Sequence, residues 1–340
     1  MDKQRAAQGD GRLLWLDAAR GLAMLLVIIG HTVPGNQALI GAAYTFHLPL
    51  FFVLSGYASR PVKSWNAYLS RHVKSFFQLI VPCIIVQMGL MLYLYLLEGA
   101  PGAARLIGLE KRAILQLFWA GAVEHNGRPM LGIPWFMFTL FWGRVFFDAI
   151  RLCTKKYAAV VCLAAAAAGL AIGSVTYLPQ SLDLALVSLL YLGAGAQMRA
   201  LDESGRTPGK GLLLAAALVW AAGIVLDIRT DMAVHQYGPY LLGVPVSLCA
   251  CAVVFAGMKR LEKIKSATRM LAYVGRISLY VFFVHHVDDY FMGLWNRENW
   301  WLCIANRIVV VVLIAAAVHA VIQVLRRFVR RAKSLLTDAA

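Results

Sequence analysis

The fold class is decided by the stretch Leu13-Leu-Trp-Leu-Asp17-Ala-Ala-Arg20-Gly-Leu-Ala-Met-Leu-Leu-Val-Ile-Ile-Gly-His31-Thr-Val33. It is about 20 residues long, enough to cross the hydrocarbon core of a bilayer as one helix. Eleven steps of about 100° bring His31 to within roughly 20° of Arg20, and Asp17 lies about 40° from His31 on the same face. Because ionisable side chains are costly inside a membrane, this shared stripe predicts a functional site.

A plainer interpretation of the same stripe stays open. Asp17 and Arg20 are close enough in sequence to neutralise each other at the membrane interface, and His31 would then be a histidine packed inside a helix bundle. The separation of Arg20 from His31, roughly 16 Å along the helix, means that the two side chains cannot touch directly.

Composition extends this interpretation to the whole chain. The 340 residues are 60% hydrophobic and only 15% charged, and the mean hydropathy is +0.67, whereas soluble domains have about 25% charged residues. We therefore expect an all-α polytopic membrane protein with about ten transmembrane helices. The predicted spans cover residues 13–33, 39–59, 75–97, 130–150, 157–175, 182–199, 211–228, 237–257, 272–294 and 301–325.

The distribution of Lys and Arg predicts the orientation of these spans. With the N-terminus in the cytoplasm, 23 of the 33 Lys and Arg residues fall in inside segments, 6 in outside segments and 4 within spans. This asymmetry favours cytoplasmic positions for both termini. It also explains most of the net charge of +16 and argues against nucleic acid as a partner, since the basic residues are dispersed over separate loops. Membrane lipids or an anionic cytosolic ligand suit them better.

The second span contains further candidate residues, in the run Phe46-His47-Leu-Pro-Leu-Phe-Phe-Val-Leu-Ser55-Gly-Tyr57. Proline frees a backbone carbonyl, and the Ser-Gly pair permits the close approach of another group. The alternative is a kinked helix with a packing histidine. In the predicted topology His31, His47 and His285 all fall in the outer half of the bilayer. We expect no metal there, since the three lie on separate spans without a local ligand motif.

Arg71 and Lys74 stand three residues apart at the cytoplasmic start of the third span and share a helix face. They could clamp the phosphates of an anionic cytosolic ligand. Ordinary positive-inside charge would explain them equally well. The six cysteines all lie in or beside apolar spans, and their spacing predicts neither a zinc site nor a disulfide framework.

These motifs resemble the integral-membrane acyltransferase 3 family, and within it the fucose 4-O-acetylase-like subgroup. The resemblance covers nearly the whole chain. It rests on the following runs: Trp15-Leu-Asp17-Ala-Ala-Arg20-Gly, Gly30-His31-Thr32, Phe46-His47 through Tyr57, Pro134-Trp135-Phe136, and Gly275-Arg-Ile-Ser-Leu-Tyr-Val-Phe-Phe-Val-His285. The resemblance implies about ten spans and the transfer of acyl groups, usually acetyl from acetyl-CoA, onto sugar hydroxyls of cell-surface polysaccharides. No bound cofactor is implied, because acetyl-CoA is a substrate.

The resemblance also implies residue roles. Its catalytic histidine and arginine correspond to His31 and Arg20, with Asp17 beside them, and its cytoplasmic Arg-x-x-Arg motif for the acyl donor corresponds to Arg71-His-Val-Lys74. Lysine at the last position keeps the charge but loses the bidentate fork. His31 would act as a general base or as a transient acyl carrier, and Arg20 would hold the donor or pair with Asp17. The substrate pocket is expected to be lined by His47, Ser55, Tyr57, Trp135 and His285.

The expected organisation is a cytoplasmic tail at residues 1–12, a transmembrane acyltransferase domain at 13–325 and a basic cytoplasmic tail at 326–340. We expect the protein to lie in a bacterial inner (plasma) membrane. The expected partners are acetyl-CoA, a sugar or glycan acceptor and membrane lipids. The sequence leaves open whether the protein forms a homo-oligomer. A transporter or flippase of lipid-linked sugars is the alternative function, since intramembrane charges also mark substrate pathways.

Overall fold

The computed structural model describes residues 13–33, 37–97, 103–291, 293, 295 and 298–338, and these residues form helices and connections without a strand. The helices are α1 Leu14–Thr32, α2 Gln37–Tyr44, α3 His47–Ala58, α4 Trp65–Leu97, α5 Ala103–Trp119, α6 Trp135–Thr154, α7 Ala158–Gly173, α8 Leu182–Glu203, α9 Lys210–Val225, α10 Gly243–Leu261, α11 Lys265–Arg276, α12 Ser278–Asp289 and α13 Trp300–Asp338. The predicted all-α class is therefore confirmed.

Seven helical stretches in the described residues are long and apolar enough to cross a membrane, or eight if the bent pair α11 and α12 forms one further span. The count of ten stays a prediction, as does the cytoplasmic position of both termini. The predicted fourth and fifth spans fall in one apolar stretch, Trp135–Gly173, which is interrupted at Lys155 (φ 44°, ψ −102°). The predicted seventh span is the 16-residue helix α9, about 24 Å long and shorter than a typical bilayer core.

The predicted ninth span is not one straight helix. It is divided into α11 and α12, whose axes differ by 67°. The break occurs at Ile277, whose backbone angles (φ −98°, ψ 10°) leave the helical region. The break allows α12 to carry His285 and the residues that follow it in a direction different from that of α11.

The chain divides into two compact units. We call Met1–Asn36 together with Met258–Ala340 the terminal unit, and Gln37–Gly257 the middle unit. The two predicted tails, at 1–12 and 326–340, belong to the terminal unit; residues 1–12, 339 and 340 lie outside the described residues.

In the terminal unit, α1 packs along α11, and α12 and α13 also contact α1. The contact between α1 and α11 is made by glycines: a Cβ added to Gly21 would lie 2.0 Å from the Leu271 carbonyl oxygen, and one added to Gly275 would lie 1.8 Å from the Asp17 carbonyl oxygen. Small residues let membrane helices approach closely, so that dispersion forces hold them together. The start of α1 is also tied down, because the Trp15 N–H donates to Glu262 at 3.1 Å.

In the middle unit, α8 packs against three other helices, α3, α6 and α7. Its inward residues, such as Leu189 and Leu192, are fully buried. The contact with α3 is again glycine-mediated, since a Cβ on Gly56 would lie 2.0 Å from the Leu192 carbonyl oxygen and one on Gly195 would lie 2.0 Å from the Val53 carbonyl oxygen. The sequence prediction of a close approach at Ser55-Gly56 therefore agrees with this packing.

We predict that Gly195→Ala destabilises the protein by about 1–3 kcal/mol, because the added methyl group overlaps the α3 backbone. Gly193→Ala on the same helix is the matched control, since its added Cβ meets nothing within 4 Å. Thermal unfolding in detergent measures both variants. Equal melting temperatures for the two would contradict the packing of α3 on α8.

Candidate active site

His31 lies in the last turn of α1 and faces the end of α12 in the terminal unit. Its ring contacts the ring of His285 edge-on, with 5.1 Å between the centroids. Its Nδ1 lies 3.8 Å from Oδ1 of Asp289, the last residue of α12. Two of the predicted site residues, His31 and His285, are thus brought together by the structure.

Arg307 of α13 organises this end of the unit, although its side chain is fully buried. Its Nε donates to Asp288 Oδ2 at 2.5 Å and its Nη2 to Asp289 Oδ1 at 3.0 Å. Its Nη1 donates to Thr32 Oγ1 at 3.3 Å, while the Thr32 hydroxyl itself donates to the Ile28 carbonyl at 2.7 Å. A buried guanidinium is tolerated when its donors are matched in this way.

His285 is the buried partner in what we call the His–Asp–Arg cluster, defined as His31, His285, Asp288, Asp289 and Arg307. Its Nδ1 lies 3.4 Å from Arg307 Nη2 and 3.9 Å from Asp288 Oδ2. Its Nε2 is buried with no hydrogen-bond partner among the described residues. Asp288 is held further by Trp295, whose indole N–H donates to Oδ1 at 2.8 Å.

The cluster offers charge that can stabilise an imidazolium formed during proton transfer. Its two carboxylates and one guanidinium leave one formal negative charge beside the two rings. His31 is the accessible ring, since 38% of its side chain is exposed whereas that of His285 is fully buried. The 3.8 Å separation of His31 from Asp289 exceeds a hydrogen bond, but such contacts often tighten only when substrate binds. The arrangement suits a base whose charged form is stabilised by a carboxylate.

The cluster also contains three residues whose side chains can bind metal ions. The candidate ligand atoms of His31, His285 and Asp289 all lie within 4.8 Å of one another. However, the guanidinium of Arg307 already donates to Asp289 and lies beside His285 Nδ1. This positive charge would oppose a divalent cation at the same atoms, and the expected absence of a metal stays a prediction.

The other two residues predicted as catalytic lie at the opposite end of α1. Arg20 Nη1 contacts Asp17 Oδ1 at 3.1 Å, in an ion pair with Asp17 almost fully buried. Of the two roles that the sequence left open for Arg20, this geometry supports pairing with Asp17. The eleven-residue spacing keeps it roughly 16 Å along the helix from His31.

The predicted donor-binding residues lie on α4 in the middle unit. Arg71 Nη1 donates to Asp148 Oδ2 at 2.9 Å and to the Arg60 carbonyl at 2.8 Å. His72 Nε2 lies 3.3 Å from the same carboxylate oxygen. Lys74 is exposed. Arg71 is therefore paired with the buried carboxylate of Asp148, whereas Lys74 faces away from the packed interior.

The remaining predicted pocket residues also belong to the middle unit. His47 is buried, with Nδ1 2.9 Å from the Ala43 carbonyl oxygen. The Tyr57 hydroxyl donates to Asp202 Oδ2 at 2.8 Å. Ser55 is half-buried and Trp135 is buried at the start of α6. The contacts described here for His47 and Tyr57 are those of packed helices, and a role in holding substrate stays a prediction.

Sequence reasoning passed over three members of the cluster, Asp288, Asp289 and Arg307. The signal for them was present. Arg307 interrupts the most apolar of the candidate spans, which has a mean hydropathy of 2.8, and an unexplained charge in such a span indicates a buried partner. The acidic pair follows three residues after His285. Only the fold shows that Arg307 contacts this acidic pair.

Taken together, the apolar helices and the buried ionic cluster define an integral membrane protein with a built polar site. The chain belongs to the acyltransferase 3 family, since that family's model, described as an acyltransferase domain, matches residues 13–327. All members of the His–Asp–Arg cluster fall within the matched range. Neither the curated proteins nor the solved structures that were compared include a match to this chain.

We predict that Arg307→Met lowers stability by about 3 kcal/mol and abolishes activity, because Asp288 and Asp289 lose their common cation inside the protein. Arg326→Met on the same helix is the control, since this arginine is exposed. Thermal unfolding and an acyl-transfer assay measure the two variants side by side. An Arg307→Met protein as stable and active as Arg326→Met would show that the ion pairs have no such role.

Proposed function

We propose that this family member is a membrane O-acyltransferase that moves an acetyl group from cytosolic acetyl-CoA to a hydroxyl of a cell-surface sugar or glycan. The proposal includes the finer expectations from the sequence: the fucose 4-O-acetylase-like subgroup, a bacterial inner membrane and a role in O-acetylation of polysaccharide. Family membership gives the acyl-transfer class. The observation that carries the mechanism is the accessible His31 imidazole lying against Asp289, inside a cluster built around Arg307.

In the proposed reaction, His31 acts as the general base. Its Nδ1 faces Asp289, so a neutral ring with the proton on Nδ1 leaves Nε2 free to accept the proton of the sugar hydroxyl. The hydroxyl oxygen attacks the thioester carbonyl carbon, the carbon–sulfur bond breaks, and the departing thiolate of coenzyme A takes the proton back from His31. The new ester bond holds the acetyl group on the acceptor.

Asp289 and Arg307 support this step without touching the reacting atoms. The Asp289 carboxylate stabilises the imidazolium that forms on His31. Arg307 is a positioning residue, because its fork fixes both carboxylates and its third donor reaches Thr32 next to His31. The alternative in which His31 first carries the acetyl group as an acyl-imidazole uses the same atoms.

For the donor, the exposed Lys74 is the better-placed of the two predicted phosphate ligands, because Arg71 is engaged with Asp148. Arg20, with 28% of its side chain exposed, remains a candidate for the pantetheine arm despite its pairing with Asp17. The distance from Arg20 to His31 along α1, roughly 16 Å, is comparable to the reach of that arm.

We predict that His31→Ala reduces acetyl transfer at least ~1,000-fold and that Asp289→Asn reduces kcat about 10- to 100-fold with little change in KM, since the base and its stabiliser act in the transition state. The assay follows radiolabelled acetyl-CoA into a glycan acceptor in proteoliposomes. His319→Ala, a histidine of α13 outside the cluster, is the control.

The same assay separates the enzyme from the transporter alternative. A transporter or flippase would move unlabelled glycan across the membrane and leave acetyl-CoA intact. Transfer of label that persists in His31→Ala would reject His31 as the base while leaving the acyltransferase class standing.

We predict that Lys74→Gln raises the KM for acetyl-CoA about 3- to 10-fold and leaves thermal stability unchanged, because an exposed lysine that contacts a phosphate contributes charge to binding only. Lys63→Gln, another exposed lysine of the same predicted cytoplasmic face, is the control. Steady-state kinetics with varied acetyl-CoA provides the measurement. The same KM in both variants would remove Lys74 from the donor site.

A further inference from the structure

Three cations on α11, in the terminal unit, take no part in the mechanism above. Lys265, Arg269 and Arg276 lie within an arc of about 40° on this helix, and we call them the basic face of α11. All three side chains are exposed, and α11 contains no acidic residue. Within the described part of the chain, no carboxylate forms an ion pair with any of them. The face is therefore positively charged and open to an anion.

The helices α1 and α11 run in the same direction. At one end, Glu262, three residues before α11, accepts a hydrogen bond from the Trp15 N–H at the start of α1. At the other end, α12 continues from α11 and brings Asp289 Oδ1 to 3.8 Å from His31 Nδ1, in the last turn of α1. The basic face therefore begins beside the start of α1, which the Lys and Arg pattern predicts to be cytoplasmic, and rises towards His31.

The basic face lies on the side of the helix pair that carries His31. Gly21 and Gly275 are in contact, since a Cβ added to either would lie 3.1 or 3.0 Å from the backbone nitrogen of the other. Arg20 directly precedes Gly21, and Arg276 directly follows Gly275. In two parallel helices that face each other, a rotation of about −100° on one and about +100° on the other point to the same side. Arg20, His31 and Arg276 thus share one side of the pair.

The axial positions of the two arginines match the order of groups in an acyl-CoA. Arg276 lies near the level of Gly21, which is ten residues before His31, or about 15 Å along α1. This is close to the reach of the pantetheine arm. Arg269, seven residues before Arg276, lies about 10 Å further towards the cytosol. In an acyl-CoA the pyrophosphate follows the arm, and the ribose phosphate comes after it.

The depth of Arg276 favours a donor over a lipid. It falls within the predicted ninth span, where a charge without a partner is costly and marks a substrate pathway. A lipid phosphate would suit Arg269, which lies near the level of Trp15, but Arg276 lies about 10 Å deeper, beyond the headgroup region. The guanidinium group binds phosphate through paired hydrogen bonds. A phosphate group that enters the protein from the cytosolic side meets this requirement.

We propose that the basic face of α11 binds the phosphates of the acyl donor. Arg276 contacts the pyrophosphate and Arg269 the ribose phosphate of an acyl-CoA whose thioester reaches His31, while Lys265 adds positive charge at the cytosolic end. The proposal rests on the acyltransferase function proposed above and names where the donor is held in the terminal unit. These residues bind and orient the donor, and no chemical step is assigned to them. The prediction for Lys74 concerns the middle unit and is tested separately.

The test measures binding by isothermal titration calorimetry to the full-length protein in phosphatidylcholine nanodiscs. The probes are coenzyme A and dephospho-coenzyme A, which lacks the ribose phosphate. Arg276→Gln should weaken both probes about tenfold, whereas Arg269→Gln should weaken coenzyme A about tenfold and leave dephospho-coenzyme A unchanged. Arg206→Gln is the matched control, because Arg206 is an exposed arginine in the connection between α8 and α9 of the middle unit. It should bind both probes as the wild type does.

The pattern of losses decides the outcome. Weaker binding in this pattern, with the control unchanged and all variants equally stable in thermal unfolding, supports the site. Wild-type affinity for coenzyme A in both α11 variants would overturn it, and so would an equal loss of both probes in Arg269→Gln. If the two variants bind coenzyme A normally but are no longer stabilised by added phosphatidylglycerol, the face binds lipid and the proposal is wrong.

An acyl-transfer assay separates this proposal from the proposed function. Transfer by both α11 variants with the wild-type KM for acetyl-CoA would reject the phosphate site and leave the His31 mechanism standing. His31→Ala should lose transfer but keep the wild-type affinity for coenzyme A, because His31 contacts the thioester and not the phosphates. A wild-type protein that neither binds coenzyme A nor transfers acetyl would overturn both proposals.

Discussion

A buried guanidinium with two carboxylates is the interaction on which the candidate site depends. Arg307 is fully enclosed, and a charge in that position is sustained only because Asp288, Asp289 and Thr32 accept its hydrogen bonds. These partners come from the ends of α12 and α1, so the ion pairs and hydrogen bonds of Arg307 join three helices at one point. His31 acquires its carboxylate neighbour from this arrangement rather than from its own helix. The proposed role of His31 therefore depends on the ion pairs and hydrogen bonds that Arg307 makes.

Close helix contacts make the arrangement possible. In a lipid environment no hydrophobic force drives helices together, and association depends on packing. The glycines at Gly21 and Gly275 bring the backbones of α1 and α11 into contact, and those at Gly56 and Gly195 do the same for α3 and α8. Each unit thus contains such a contact, and in the middle unit Gly169 of α7 makes a further one with α8.

The sequence supported the class of the protein and part of the site, for reasons that differ from residue to residue. Apolar length and hydropathy predict membrane helices directly, and the charge cost of His31 in such a helix marks it as a functional candidate. Asp289 and Arg307 could not be paired with it in advance, because the 67° bend at Ile277 turns α12 in a way that helical periodicity does not encode. The position of Arg276 on the side of His31 was equally hidden, since it depends on the faces through which α1 and α11 meet.

The last helix, α13, carries residues typical of both membrane boundaries and places Arg307 between them. It begins with two stacked indoles, Trp300 and Trp301, whose rings are 3.6 Å apart, a residue type that favours the boundary between headgroups and hydrocarbon. Seven residues of helix then place Arg307 about 10 Å further along the axis, and nineteen more reach Arg326 after another ~29 Å. The whole distance, about 39 Å, is close to the thickness of a bilayer with its headgroup regions. Aromatic rings at one boundary and a run of arginines at the other hold this helix against sliding. The depth of Arg307, and with it the depth of the whole His–Asp–Arg cluster, therefore depends on the position of this one helix.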